Sequence, residues 1–340
     1  MTNTTANTAD ERMHPVGNAP AWSESYYFNF VDPATKVAMF TRMGFRPGDG
    51  WADGLHVVYL GGDRVAFTYG RRTIGKNLLD YNGDLKAGNL EIICRDPFKH
   101  WQVRYQGPAE DINNSAILLE RKKLRPEGWY KAATLDMDVN FHGISDPHYA
   151  ASGERGHFEQ TGRVTGSIRL DGETFQVDGY GVRDKSWGPR DWGAGASSGA
   201  ATNSGAPQKP NVGPAPFVNW FSMNFGPDLA LGGAAVRHAD GVMRGAGWFN
   251  ANGRNEELTD VIIESRYRAD SIWHTDVRLT GRTSSGQALD ITGKVLTVCP
   301  TKIPMRGGAT FVNEGLAEFT LDGKTGYGIA EHWHAVKTED

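Results

Sequence analysis

The sequence predicts an all-β protein made of two related antiparallel domains, and three observations support this. Gly and Pro together are frequent, 43 and 16 of 340 residues, without a collagen period, which points to many turns. Runs of alternating apolar and polar residues meet across short Gly-containing turns, the pattern of β-hairpins. Large side chains for cores are plentiful, with 15 Phe, 11 Tyr and 10 Trp.

The elements follow in chain order. Residues 1–21, rich in Thr, Asn and Ala, lack the apolar core of a secretory signal. They read as a disordered tail on a soluble, cytoplasmic chain. Ala34–Met43 has the one helical pattern. Strands are expected at His56–Leu60, Arg64–Tyr69, Leu90–Arg95, Trp101–Tyr105 and Ala116–Arg121. The clearest hairpin spans Gly162–Tyr180: Val164, Ile168 and Leu170 alternate with polar residues, Asp171-Gly172 turns the chain, and Phe175, Val177 and Gly179 alternate back. Residues 193–216 are nearly all small residues and proline, too poor in apolar surface to offset ordering, so a mobile loop is expected. Two further hairpins turn at Thr283–Gly286 and Asp322-Gly323. A faint duplication relates LEIICR (90–95) to DVIIES (260–265), and VRYQG (103–107) to VRLTG (277–281). It favours two domains, at 22–156 and 157–340.

Several function classes are disfavoured. The charge balance of 36 Lys+Arg against 40 Asp+Glu provides no clustered basic surface for nucleic acid, and no run of about 18 apolar residues enters a membrane. Cys94 and Cys299 lie far apart outside any ligand motif and read as buried free thiols. Gly70–Asn77 falls short of a P-loop because Asn77 replaces its Ser/Thr, and Gly179-Tyr180-Gly181 lacks the third glycine of a dinucleotide site. His332 and His334 share a strand face but have no third metal ligand placed by spacing, so they read as exposed strand histidines. Neither a cofactor nor a metal is expected.

The chemically dense segment is Gly181–Gly193, GVRDKSWGPRDWG. Its pairs Arg183-Asp184 and Arg190-Asp191 interleave with Trp187 and Trp192, and Gly188-Pro189 prevents a continuous helix. In one reading the arginines are structural, stacking on indoles and pairing with carboxylates. In the other, a carboxyl beside apolar walls has its pKa raised and donates a proton. Strand parity sets Glu331 with Tyr327, Ile329 and Trp333 on one apolar face, where it either pairs with Arg183 or Arg190 or stays protonated. Phe217–Phe225 is a strand apolar on both faces, with Asn219 and Phe221 on one and Trp220 on the other.

The run Gly162–Trp192, GRVTGSIRLDGETFQVDGYGVRDKSWGPRDW, resembles the signature of the AttH/carotenoid-hydratase-like superfamily, and Tyr327–Glu331 fits it. The resemblance implies two lipocalin-like (calycin) antiparallel β-barrel domains packed side by side. Lys185-Ser186-Trp187-Gly188 stands where carotenoid hydratases read like His-Asn-Trp-Gly, which directs the acid role to Asp184 or Asp191. The function implied is a cofactor-independent lyase or isomerase of hydratase, dehydratase or cyclase type, transferring protons on an isoprenoid, steroid or polyphenol-like substrate. Asp184, Asp191 or Glu331 would be the acid, and Lys185 or Tyr180 would orient water or remove a proton. Trp187, Trp192, Trp220, Asn219 and Phe221 would line the pocket. The alternative is a non-catalytic carrier of apolar small molecules.

Overall fold

The structure, a computed structural model, describes residues 6–18, 21–190, 215–305 and 308–337. Strands dominate because apolar side chains recur at every second residue. The first unit contains β1 (Trp22–Val31), β2 (Ala38–Arg46), β3 (Trp51–Tyr59), β4 (Val65–Thr73), β5 (Leu85–Ala87), β6 (Leu90–Asp96), β7 (His100–Ile112), β8 (Lys131–Gly143), β9 (His148–Ala151), β10 (Gly156–Leu170) and β11 (Glu173–Pro189). The second contains β12 (Val218–Asn224), β13 (Leu229–Arg237), β14 (Met243–Ala251), β15 (Arg254–Tyr267), β16 (His274–Thr283), β17 (Ala288–Met305), β18 (Gly308–Leu321) and β19 (Lys324–Lys337).

In the first unit the hydrogen-bonded order is β4-β3-β2-β1-β11-β10-β8-β7-β6-β5, with β9 on β10. A further pairing of Val65–Phe67 with Glu110–Ile112 joins β4 to β7 and closes eight of these strands into a ring. Its interior is packed. Tyr26, Phe28 and Phe30 of β1 project inward with Met39, Met43 and Phe45 of β2, and Phe28 lies 5.9 Å from Trp101 and 5.8 Å from Phe141 between ring centroids. Each such buried side chain contributes roughly 1.5–3 kcal/mol. Gly181 lets β11 approach β1, since a Cβ there would fall 1.8 Å from the Asn29 carbonyl oxygen.

The second unit is a closed barrel in strict sequence order, β12 through β19, with β12 bonded back to β19. The predicted all-β architecture of two barrels is therefore present, and the hairpins at Asp171-Gly172, Thr283–Gly286 and Asp322-Gly323 fall where expected. VRYQG and VRLTG sit on β7 and β16, each the fifth ring strand of its barrel.

Five expectations need correction. The main division of the chain falls after Arg190 rather than before His157, with 114–127 grouped with the second unit and 251–255 with the first, because β11 pairs with β1 from Trp22↔Pro189 to Phe28↔Arg183 and β10 pairs with β8. Within the tail, Thr8–Glu11 forms a 3-10 turn capped by Asn7, and Glu11 and Met13 are buried. Ala34–Met43 is not a helix: Asp32–Lys36 turns, with Lys36 at φ 63°, and β2 then runs between β1 and β3. Ser115–Leu119 is a 3-10 turn rather than a strand, capped by the Asn114 side chain. Cys94 is exposed, whereas Cys299 is buried and both are free. Residues 193–214 of the expected mobile loop lie outside the described residues. Among the described residues no helix is long and apolar enough to cross a membrane.

Candidate functional site

Parity along β11 divides the Arg-Asp-Lys-Ser-Trp run between two environments. Arg183, Lys185 and Trp187 point into the first barrel. Arg183 is 1% exposed and forms a fork with Glu11, Nη1 to Oε2 at 2.8 Å and Nη2 to Oε1 at 2.6 Å, while its Nε donates to Gln160 at 2.8 Å. Glu11 also accepts from the Phe98 amide at 2.6 Å, and Gln160 donates to the carbonyls of Phe98 and Ser145 at 2.7 Å each. Phe98, at φ 60°, is thus held in the left-handed region by a saturated network.

Lys185, with no exposure, is bonded to Glu24, and its ammonium lies 4.4 Å from the Tyr26 ring centroid. Burial opposes ionisation of Glu24, but Lys185 and His14 outweigh it and hold its carboxyl below the ordinary value. Trp187 stacks on His14 at 4.0 Å and donates from Nε1 to the Gly153 carbonyl. The expectations that Lys185 handles a catalytic proton and that Trp187 lines a pocket are therefore corrected. Both side chains are consumed by contacts within a filled core.

Asp184 faces outward, opposite Glu159 of β10. His157 bridges the two carboxylates, Nε2 to Glu159 at 3.0 Å and Nδ1 to Asp184 at 3.5 Å. Burial is the main influence on Asp184 and raises its pKa. Burial also acts against protonation of His157, yet Asp184 and Glu159 outweigh it and raise its pKa. No indole of the β11 run stands on this face, since Trp187 points inward.

The second barrel holds the arrangement that sequence reasoning missed. Tyr267 of β15 and His274 of β16 reach His332 of β19, and because these strands are not neighbours of β19 in the ring, the contacts cross the interior. The Tyr267 hydroxyl is 2.9 Å from His332 Nδ1, and His274 stacks on His332 at 3.8 Å. His274 Nε2 donates to the Ala330 carbonyl at 2.8 Å, which leaves its Nδ1 a bare acceptor. Gly315 makes room for this ring, as a Cβ there would lie 2.2 Å from His274 Nε2. Asn219 and Phe221, opposite His332 and Ala330, share the interior face, and so does Phe311, opposite His334.

Burial sets the electrostatics of this cluster. It pushes the pKa of His332 well below the ordinary value, that of His334 down to about 3 and that of His274 to about 4, and it raises that of Tyr267. All three imidazoles are therefore neutral at pH 7. Among the described residues, Asn219 Nδ2 and Oδ1, both nitrogens of His334, His274 Nδ1 and Asn313 Oδ1 are buried without a hydrogen-bond partner. Each unmatched polar atom costs about 1–3 kcal/mol, against a total domain stability of about 5–15 kcal/mol. A cluster of them therefore calls for polar atoms that the chain does not itself supply.

His332 and His334 are 1% and 0% exposed, so the exposed-histidine reading is corrected. The signal was present in the pattern Ala330-His332-His334 opposite Asn219 and Phe221, an inward-facing row once β12 and β19 are recognised as paired. Glu331 and Trp220 lie opposite each other on the other face, where the Trp333 indole donates to Glu331. Arg183 itself is paired with Glu11 within the first unit. Tyr180 and Arg190 are half-buried in the first unit, and Asp191 and Trp192 lie outside the described residues.

The family model described as "Domain of unknown function (DUF7064)" matches residues 7–336. No curated protein matches the chain. Among solved structures, a putative AttH from Nitrosomonas europaea is similar at TM-score 0.62 and 13% identity, covering 99% of each chain. Kievitone hydratase from Nectria haematococca is similar at TM-score 0.48 and 10% identity, covering 99% of this chain and 96% of that one. CghA is similar at TM-score 0.49 and 9% identity, covering 96% and 95%. The likeness to the AttH structure is one of fold, the AttH-like, lipocalin-like architecture that Gly162–Trp192 implied.

Proposed function

The chain belongs to this family of unknown function, DUF7064, and from that premise we propose that it is a cofactor-independent lyase or isomerase acting by proton transfer on a hydrophobic small molecule held inside the second barrel. The observation that carries the reading is the Tyr267–His332 hydrogen bond of 2.9 Å beside the unpartnered Asn219 and His334. A closed barrel surrounds groups that accept and donate protons without bearing charge. Such a site suits an oxygen-bearing alicyclic or aromatic substrate.

Asn219 and His334 bind the substrate hydroxyl or carbonyl. Tyr267, kept a neutral phenol by burial, donates its proton to a departing hydroxyl. A C–H proton from the adjacent carbon passes to the neutral His332, water leaves, and an alkene forms. The same steps reversed add water. Acid–base assistance of this kind contributes about 10²–10⁴-fold, and enforced orientation supplies further acceleration.

The test is a panel of terpenoids, steroids and phenolic aromatics incubated with the full chain in D₂O, with mass change and deuterium incorporation as readouts. Tyr267→Phe is expected to keep ligand affinity and lose about 10²-fold or more in turnover. Full activity in Tyr267→Phe sinks the assignment. Tight binding in the wild-type protein with no turnover of any panel member favours the carrier reading instead.

A further inference from the structure

A second group of ligand-type side chains lies on the outward face of the first barrel, and it is independent of the reaction proposed for the second. His157 and Glu159 of β10 and Asp184 of β11 each offer one donor atom, all within 4.8 Å of one another. The two strands are paired in unbroken register from Gly156↔Trp187 to Leu170↔Glu173, so the donors stand on a rigid support. We infer that His157, Glu159 and Asp184 form a binding site for a divalent cation of the zinc class.

The argument rests on geometry and donor type. His157 Nδ1 is buried and makes no hydrogen bond among the described residues, yet it lies 3.5 Å from Asp184 Oδ2. That separation is long for a hydrogen bond. For this one pair it matches the edge of a tetrahedron whose centre is about 2.0–2.2 Å from nitrogen and oxygen ligands, roughly 3.3–3.6 Å; Glu159, whose Oε1 is bonded to His157 Nε2 at 3.0 Å, would turn from that nitrogen to complete the set. One imidazole and two carboxylates also balance a double positive charge, and mixed nitrogen and oxygen donors suit zinc better than magnesium or calcium. His148 of β9 lies directly opposite Glu159, which puts a second imidazole beside the set on the same face. The cationic groups that act on Asp184 are His157, Arg190 and Arg42; of these, only His157 is itself a donor. The competing arrangement is an imidazolium bridging the two carboxylates, with no cation bound.

Isothermal titration of the EDTA-treated full chain with Zn²⁺ at pH 7.5 separates the two. One cation per chain is expected, with micromolar or tighter affinity and a higher melting temperature on binding. Asp184→Asn and Glu159→Gln should each weaken binding by about 100-fold or more, the upper range already seen when only supporting ligands are lost. In a Co²⁺ titration both variants should alter the visible d–d bands, and this reading holds even where a variant is less stable. His142→Ala serves as the control, because His142 and His100 stack at 4.5 Å and form another imidazole pair; it should leave the affinity unchanged. Absence of stoichiometric Zn²⁺ binding overturns the inference, as does binding that survives Asp184→Asn and Glu159→Gln or disappears in His142→Ala.

Discussion

Glu11→Gln is expected to destabilise the first barrel by about 3–5 kcal/mol, because breaking a buried ion pair leaves the opposite charge without compensation. At roughly 2–4 °C per kcal/mol for a unit of this size, the melting temperature falls by roughly 6–20 °C. The size of the effect comes from how many groups converge on one carboxylate. Glu11 receives both terminal nitrogens of Arg183, the Phe98 amide and the Trp101 indole. Removing the charge loosens the N-terminal turn, the left-handed Phe98 and the Gln160 bridge together. Arg183→Met should cost a similar amount. The double variant Glu11→Leu/Arg183→Met should recover part of the loss, since neither charge then remains buried. Thermal melts of the wild type, Glu11→Leu, Arg183→Met and the double variant form the cycle, and wild-type melting of Arg183→Met would show that this network contributes no stability.

Acidification is expected to unfold the second barrel well before its carboxylates protonate. His274 and His334 have folded-state pKa values of about 4 and about 3, and that of His332 is also far below the ordinary 6.5. In the unfolded chain the same imidazoles take up protons near pH 6.5. Between about pH 6.5 and pH 4 the unfolded state therefore binds more protons. Stability is fully present above this window and declines as pH falls through it. Each imidazole contributes at most about 1.4 kcal/mol per pH unit, so three together reach about 4 kcal/mol per unit, a large share of a typical stability of about 5–15 kcal/mol. His56, whose pKa burial lowers to about 3 in the first barrel, adds a loss of the same sign. His157 opposes it, because its raised value favours the folded state as protons are added. Melts from pH 7.5 to 4.5 should show a steep fall that His334→Gln makes shallower. A melting temperature constant across that range is the contrary result.

The fold was legible wherever local pattern and long-range pairing agree. At Asp171-Gly172 the turn residues, the alternation and the neighbouring strand all specify the same hairpin, with Asp171 at φ 53°. Ala34–Met43 misleads because its apolar spacing also satisfies a helical period, and what decides for a strand is the presence of β1 and β3 on either side. The boundary was displaced for a related reason. Nothing local in Glu173–Pro189 reveals that its partner is Trp22–Val31, far back in the chain.

The candidate site was legible only in part. The composition of the β11 run draws attention to Arg183 and Lys185, but their carboxylate partners Glu11 and Glu24 lie in a segment that reads as a tail and in a strand with no unusual pattern. Asp184 stands apart from them because alternate residues of one strand serve opposite faces. His332 and His334 were visible as a pair. Their significance depends on Tyr267 and His274, which only ring closure brings within reach.

The seam between β1 and β11 also constrains how the molecule is made. Its partners, Trp22 with Pro189 and Phe28 with Arg183, are among the most distant in the first unit, so the ring closes last by the slowest kind of loop closure. During synthesis the amino-terminal strand emerges early and has only β2 beside it until β11 has cleared the ribosome. For that interval a strand that is buried along its whole length in the finished barrel has one open edge, which makes translation the period of greatest exposure to aggregation and the stage at which a chaperone would matter most.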